Sequence, residues 1–119
     1  MQHVRISDAL RELTLDSETD IDEVADKYYV PEFIYYSSGK RKTRAQFLEL
    51  ARDARCGIAE GSISVLDEFR DGASYAERHR LEATGKDGTT VQVEVYGFGE
   101  YAPDGRFRTL HEAGFPVPS

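Results

Sequence analysis

Tyr75, Glu77 and His79 stand two residues apart within the stretch from Ala73 to Gly85. In an extended chain this spacing puts all three, with Leu81 and Ala83, on one face, and Arg78, Arg80 and Glu82 on the other. The second face is wholly charged and belongs outside. Tyr75, Glu77 and His79 therefore point inward. An inward His beside a Glu can serve as a general acid or base, because desolvation and neighbouring charge move its pKa around neutrality. The same pattern also fits a core histidine bonded to a backbone carbonyl or a phenol, and both readings stand at this point.

Little other chemistry is available to the chain. Cys56 is its only cysteine, which excludes an intramolecular disulfide and any Cys-based zinc site. It sits beside Gly57 with no His in a nucleophile pattern, so it reads as an inert residue at a helix end. His3, His79 and His111 are scattered, and no metal site or cofactor is implied. Asn is absent, which removes every N-glycosylation sequon. A net charge of -7 repels phosphate backbones and makes nucleic acid an improbable partner. The local exception, Lys40, Arg41, Lys42 and Arg44, lacks interleaved aromatics and reads as a solvated loop rather than an anion site. No apolar run approaches the ~18 residues needed to span a bilayer, and no signal-peptide pattern opens the chain. The expected setting is cytoplasmic, away from membranes.

The elements that must hold these residues belong to one domain, since 119 residues give room for a single core. Asp71-Gly72, Asp87-Gly88 and Asp104-Gly105 mark three tight turns. Between them lie long segments rich in Val, Tyr, Phe and Thr: Ser62 to Arg70, Ala73 to Gly85, Thr89 to Ala102 and Arg106 to Ala113. Four long strands in an antiparallel meander follow. A sheet of that length must curl, and Gly97 and Gly99 mark a bulge or bend in it.

The first half is helical. Thr43 and Gln46 form a capping box, after which Phe47, Leu50, Ala51 and Ala54 line one face and Gly57 ends the helix. Asp20 and Glu23 open a second helix with Ile21, Val24, Ala25 and Tyr28 on one stripe, ended by Pro31. A shorter one covers Ser7 to Leu13, and Phe33 to Tyr36 reads as a short edge strand. Helices collected in one half and strands in the other specify an α+β fold: a curved antiparallel sheet wrapped around three N-terminal helices as a cone-shaped barrel. The wide end of such a cone is hard to fill with side chains, and a pocket belongs there.

This element order, with Tyr35-Tyr36-Ser37-Ser38-Gly39 before Thr43-Arg44, Ala76-Glu77-Arg78-His79-Arg80-Leu81 leading to Thr84-Gly85, and Asp104-Gly105-Arg106-Phe107 running on to Leu110-His111-Glu112, resembles the nuclear transport factor two-like superfamily in its ketosteroid isomerase and SnoaL-like branch. The resemblance runs nearly end to end. It implies a cone with a deep pocket, frequent dimerisation through the outer sheet face, and no single reaction. The general-base Asp of steroid isomerases would fall at Tyr36 and their oxyanion-binding Asp near Gly97, so both acids are missing. Glu112 resembles the acidic residue that SnoaL-like cyclases carry in the last strand, although His111 is adjacent to it rather than two residues before.

Simple alternation sets Phe107, Thr109 and His111 against Arg108, Leu110 and Glu112, so Phe107 and Glu112 both face inward only if the strand is bulged. Otherwise Glu112 is a surface residue pairing with an Arg. The reading that results is a SnoaL-like, cofactor-free enzyme performing acid/base chemistry of isomerase, cyclase or hydrolase type on a hydrophobic small molecule. In it His79 with Glu112 or Glu77 moves protons, Tyr28, Tyr36 and Tyr75 contact the substrate, and Phe47 and Leu50 supply an apolar wall. The rival reading is a non-catalytic ligand-binding or dimeric association module. Tyr96 and Phe98 lie opposite Val91, Val93 and Val95, and as outward aromatics they would seed a homodimer, with Arg78, Arg80, Glu94 and Glu100 at its rim.

Overall fold

The computed structural model describes residues 2–16 and 18–118. It contains α1 (Ile6–Leu10), continued by a π-helical turn (Arg11–Leu15), then α2 (Ile21–Tyr28), β1 (Tyr29–Ser37), β2 (Lys40–Thr43) and α3 (Arg44–Gly57). Four strands complete it: β3 (Ile58–Asp71), β4 (Ser74–Gly85), β5 (Thr90–Tyr101) and β6 (Phe107–Pro116). They form one six-stranded sheet in the order β2-β1-β6-β5-β4-β3. The four long strands pair antiparallel in sequence order, as the Asp-Gly turns require. Gly72, Gly88 and Gly105 all take positive φ in those turns. The fold is α+β, with the three helical segments against a curled sheet.

Several expectations need correction. The sheet is not closed into a barrel: β2 and β3 are its two edges. The Phe33–Tyr36 run is part of a nine-residue strand that is not at the edge, because β1 lies between β2 and β6 and pairs parallel with β6. Pro31 falls inside β1, where the register with β6 is broken between Tyr29 and Ile34, so its missing N–H costs no ladder bond there. Lys40, Arg41 and Lys42 form strand β2 rather than a loop, turned back on β1 by Ser38 and Gly39 at φ 51° and 82°. The capping box is present in full: Thr43 Oγ1 accepts from Gln46 N–H, and Gln46 Oε1 accepts from Thr43 N–H at 2.9 Å. α3, however, buries Leu48 and Ala51, while Leu50 is 44% exposed.

Gly97 and Gly99 are not a bulge, because β5 keeps an unbroken register with β4 from Glu100 to Thr90. Their role is space. A Cβ on Gly97 would come within 2.7 Å of Ile6 Cδ1, and one on Gly99 within 2.8 Å of the Phe107 ring. The bulges lie elsewhere. Ala59 and Leu66 are extra in β3, and Arg108 is extra in β6, where Tyr101 pairs with Phe107 and Glu100 with Thr109. The core between helices and sheet centres on Leu13, Phe33, Tyr29, Tyr101 and Phe107, with the Tyr101 and Phe107 rings stacked at 5.2 Å.

Candidate active site

The bulge at Arg108 shifts the alternation of β6, so that Phe107, Leu110 and Glu112 all project inward. Glu112 then lies opposite Gly97 in β5, which lies opposite Glu77 in β4. With no side chain on Gly97, the Glu112 carboxylate occupies the space: its Oε2 would be 3.5 Å from a Cβ there. Glu112 reaches a cavity of about 190 Å³ between α1, the π-helical turn, α3, β1 and β6. Ile6, Leu13, Tyr35, Phe47 and Leu110 wall this cavity, Leu50 stands at its side, and among the described residues Glu112 is the one carboxylate lining it.

Tyr35 Oη donates to Glu112 Oε1 at 2.9 Å. Burial pushes the Glu112 carboxyl above the ordinary carboxylate range, and the Tyr35 hydrogen bond and the charge of His79 offset only part of that rise. Burial, reinforced by the negative charge of Glu112, pushes the Tyr35 phenol up as well.

Behind this acid lies a chain of buried polar groups. His79 is fully buried, and its Nδ1 lies 2.6 Å from Glu77 Oε2. A carboxylate only accepts, so Nδ1 carries the hydrogen and Nε2 is the free end of the ring. Among the described residues Nε2 has no hydrogen-bond partner, and it is buried. Glu77 Oε1 accepts from Ser7 N–H at 3.2 Å and lies 2.6 Å from Tyr75 Oη. Burial alone would raise the Glu77 carboxyl, but the hydrogen bonds from His79, Tyr75 and Ser7 together hold it below its usual range.

The structure thus divides the residues singled out from the sequence. Glu112, Phe47 and Leu50 line the cavity, whereas His79 and Glu77 lie buried next to Glu112 without lining it. Tyr75 lines a separate polar groove. Tyr28 hydrogen-bonds Glu12, with Lys27 over its ring, and does not reach the cavity. Tyr36 is on the outer face of the sheet, stacked on His111 at 4.3 Å. Its neighbour Tyr35 takes the inward position that sequence reasoning missed. The signal was present, since Phe33 and Tyr35 share one parity in β1, but a run of four apolar residues conceals which parity is buried.

The largest concavity, about 810 Å³, is on the outer face and includes Tyr36, Phe69, Ala76, Tyr96, Phe98 and His111. Glu77, Gly97 and Glu112 also border it, in the row that crosses β4, β5 and β6, but the Glu112 carboxylate bonds Tyr35 and Arg78 is bonded to Asp67 at 2.7 Å, so its size does not make it the catalytic candidate. Among the described residues no cluster of three or more His, Cys, Asp or Glu is arranged to hold a metal ion. Among the described residues no helix is long and apolar enough to cross a membrane.

No family model matches the sequence. No curated protein matches it either. Solved structures do resemble it. A protein assigned as an isomerase from Rhodopseudomonas palustris superposes with a TM-score of 0.77 at 18% identity, over 92% of this chain and 86% of that one. A protein assigned as a SnoaL-like polyketide cyclase from Shewanella denitrificans gives 0.71 at 13% identity, over 90% and 85%. AclR from Streptomyces galilaeus, assigned as a hydroxylase, gives 0.71 at 15% identity over 81% of this chain, which spans 65% of AclR, just under two thirds. At these identities the likeness is one of fold, and it agrees with the topology derived above: the chain has the nuclear transport factor two-like fold, in the form shared by SnoaL-like and ketosteroid isomerase-like proteins.

Proposed function

We propose that the protein is a cofactor-free acid/base enzyme of the SnoaL-like type acting on a hydrophobic small molecule, with Glu112 as the group that exchanges a proton with the substrate. The observation that carries this reading is a carboxyl on the wall of an apolar cavity, raised by burial and oriented by one phenol. A carboxyl moved upward in this way is a stronger base than an ordinary carboxylate and can return the proton as an acid. Tyr35 holds it in one orientation. A volume of about 190 Å³ is below the roughly 300–1,000 Å³ that encloses a drug-sized ligand, so the substrate is small or enters by its reacting end alone. The exposed thiol of Cys56 is in keeping with a reducing, cytoplasmic setting.

The test is proton abstraction itself. Small apolar ketones are incubated with the protein in heavy water, and loss of the C–H signals next to the carbonyl is followed by NMR. Exchange above the buffer rate that disappears in Glu112→Gln supports the reading. Ketones that bind in the cavity without exchanging would leave a non-catalytic binding module as the function.

A second copy of this chain is the partner that the outer face favours. Phe69 (69% exposed), Phe98, Tyr96 and Phe115 form an apolar surface there, and Arg78, Arg80 and Glu94 stand beside it with both signs of charge. A two-fold arrangement would cover these aromatics and let the mixed charges pair across the rim.

A further inference from the structure

The polar chain behind Glu112 does not stop at Tyr75. Tyr75 Oη also lies 2.5 Å from Glu68 Oε2, and Glu68 Oε2 accepts from Arg5 Nε at 2.5 Å. Glu68 is about one-third exposed, whereas Glu77 and His79 have no exposed side-chain surface. An unbroken series of contacts between 2.5 and 2.6 Å therefore runs from a surface carboxylate to a histidine in the core. Its outer end opens on a groove of about 430 Å³ that includes His3, Arg5, Glu68, Arg70, Tyr75 and Tyr101 and shares no lining residue with the cavity.

Counting hydrogens shows what this series can do. Glu68 Oε2, Tyr75 Oη and Glu77 Oε1 make two short O···O contacts, and with both carboxylates ionised only the phenol supplies a hydrogen to them. One contact is then bridged and the other waits for a proton. A structural tie needs no such vacancy. A core arranged only for stability would fill the second contact with another donor, or remove the second carboxylate. At the other end the Nε2 of His79 is buried and unpartnered, in the field of Glu112. Of the other charged groups around the chain, Arg5 also faces Asp8 at 3.8 Å and Arg70 contacts His3. Tyr101 gives its hydroxyl hydrogen to Val4 O and takes no part.

We propose that Glu77, Tyr75 and Glu68 form a proton conduit connecting His79 with solvent in the surface groove. With a hydrogen on both ring nitrogens of His79, the Nδ1–H bond breaks as that hydrogen passes to Glu77 Oε2, and the ring is left neutral with its hydrogen on Nε2. The carboxyl group turns, its O–H bond breaks toward Tyr75 Oη, and the phenol hands its own hydrogen to Glu68. Glu68 releases it to water. One proton reaches water and the ring loses one positive charge, Glu77, Tyr75 and Glu68 recover their starting charges, and the reverse sequence returns a proton from water to Nδ1. None of the three residues touches the cavity; they act through His79. The use of the conduit in turnover rests on the acid/base reading above, but its existence does not.

The test reads exchange, not activity. In protein labelled with nitrogen-15 at histidine, NMR measures the rate at which the His79 ring hydrogen exchanges with water, in the wild type, in Tyr75→Phe and in Glu68→Gln. Tyr75→Phe keeps the ring and removes the hydroxyl. Glu68→Gln keeps an oxygen for Arg5 and Tyr75 but cannot take up a proton. Both are expected to slow exchange by about tenfold or more with the His79 nitrogen shifts unchanged. An unchanged or faster rate in Glu68→Gln overturns the proposal, and this surface variant decides alone if Tyr75→Phe fails to fold. Glu112→Gln is expected to leave the exchange rate as it is, whatever it does to turnover, which separates failure of the conduit from failure of the catalytic reading.

Discussion

Tyr35 and Glu112 meet across the parallel pair β1–β6, where the phenol donates to the carboxylate at 2.9 Å although the two residues are 77 positions apart. Register explains the contact: Tyr35 lies beside Leu110, Ser37 lies beside Glu112, and the phenol reaches diagonally inside the cavity. Tyr35→Phe removes the one hydrogen bond that pulls Glu112 down and leaves burial in place. The Glu112 carboxyl should rise further, and the acid limb of any pH–activity profile should move to higher pH. Carboxyl carbon NMR of Glu112 in both proteins checks the sign, and the variant should lose about 1 kcal/mol of stability.

Glu112 itself carries a folded-state pKa above its unfolded value. Its contribution to stability is therefore fully present below the unfolded pKa and is lost as pH rises through the folded pKa. Glu112→Gln abolishes that dependence. Thermal melts across a pH series should show the variant gaining on the wild type as the solution goes from acid to alkaline. Parallel curves would mean that the carboxyl is not perturbed.

Replacement of His79 distinguishes pairing from packing. His79→Leu leaves the Glu77 carboxylate buried without its ring partner and should cost about 3–5 kcal/mol. His79→Gln retains an N–H donor and should cost clearly less. Urea denaturation of the two variants gives the comparison, and equal losses would show that the contact with Glu77 contributes nothing.

Gly97→Ala places a Cβ 2.7 Å from Ile6 Cδ1 and 3.5 Å from Glu112 Oε2. Overpacking of this kind should cost about 1–3 kcal/mol. Ile6→Val removes the clashing methyl, so the double variant should recover part of the loss. Melting temperatures of the two single variants and the double variant form the cycle; strict additivity would locate the strain elsewhere.

Phe98→Asp puts a charge in the middle of the outer apolar face without entering the core. Sedimentation equilibrium at micromolar concentration should give a dimer for the wild type and a monomer for the variant. A wild type that is monomeric throughout that range removes the homodimer.

Short-range signals determined much of this protein from its sequence. Each Asp-Gly turn, the Thr43–Gln46 capping box and the inward set Tyr75, Glu77 and His79 depends on neighbours within a few positions, where backbone sterics and side-chain period act directly. The α+β arrangement follows from their order. The identity of the cavity residues was decided only when distant strands paired. Glu112 faces inward because the contact of β6 with β5 extrudes Arg108, a choice made by a strand partner and invisible to alternation within β6. Tyr35, not Tyr36, reaches the cavity because β1 fits between β2 and β6 with one parity against the core. Strand parity is a two-way choice that a run of apolar residues does not settle, and only tertiary packing, which buries one face and exposes the other, resolves it.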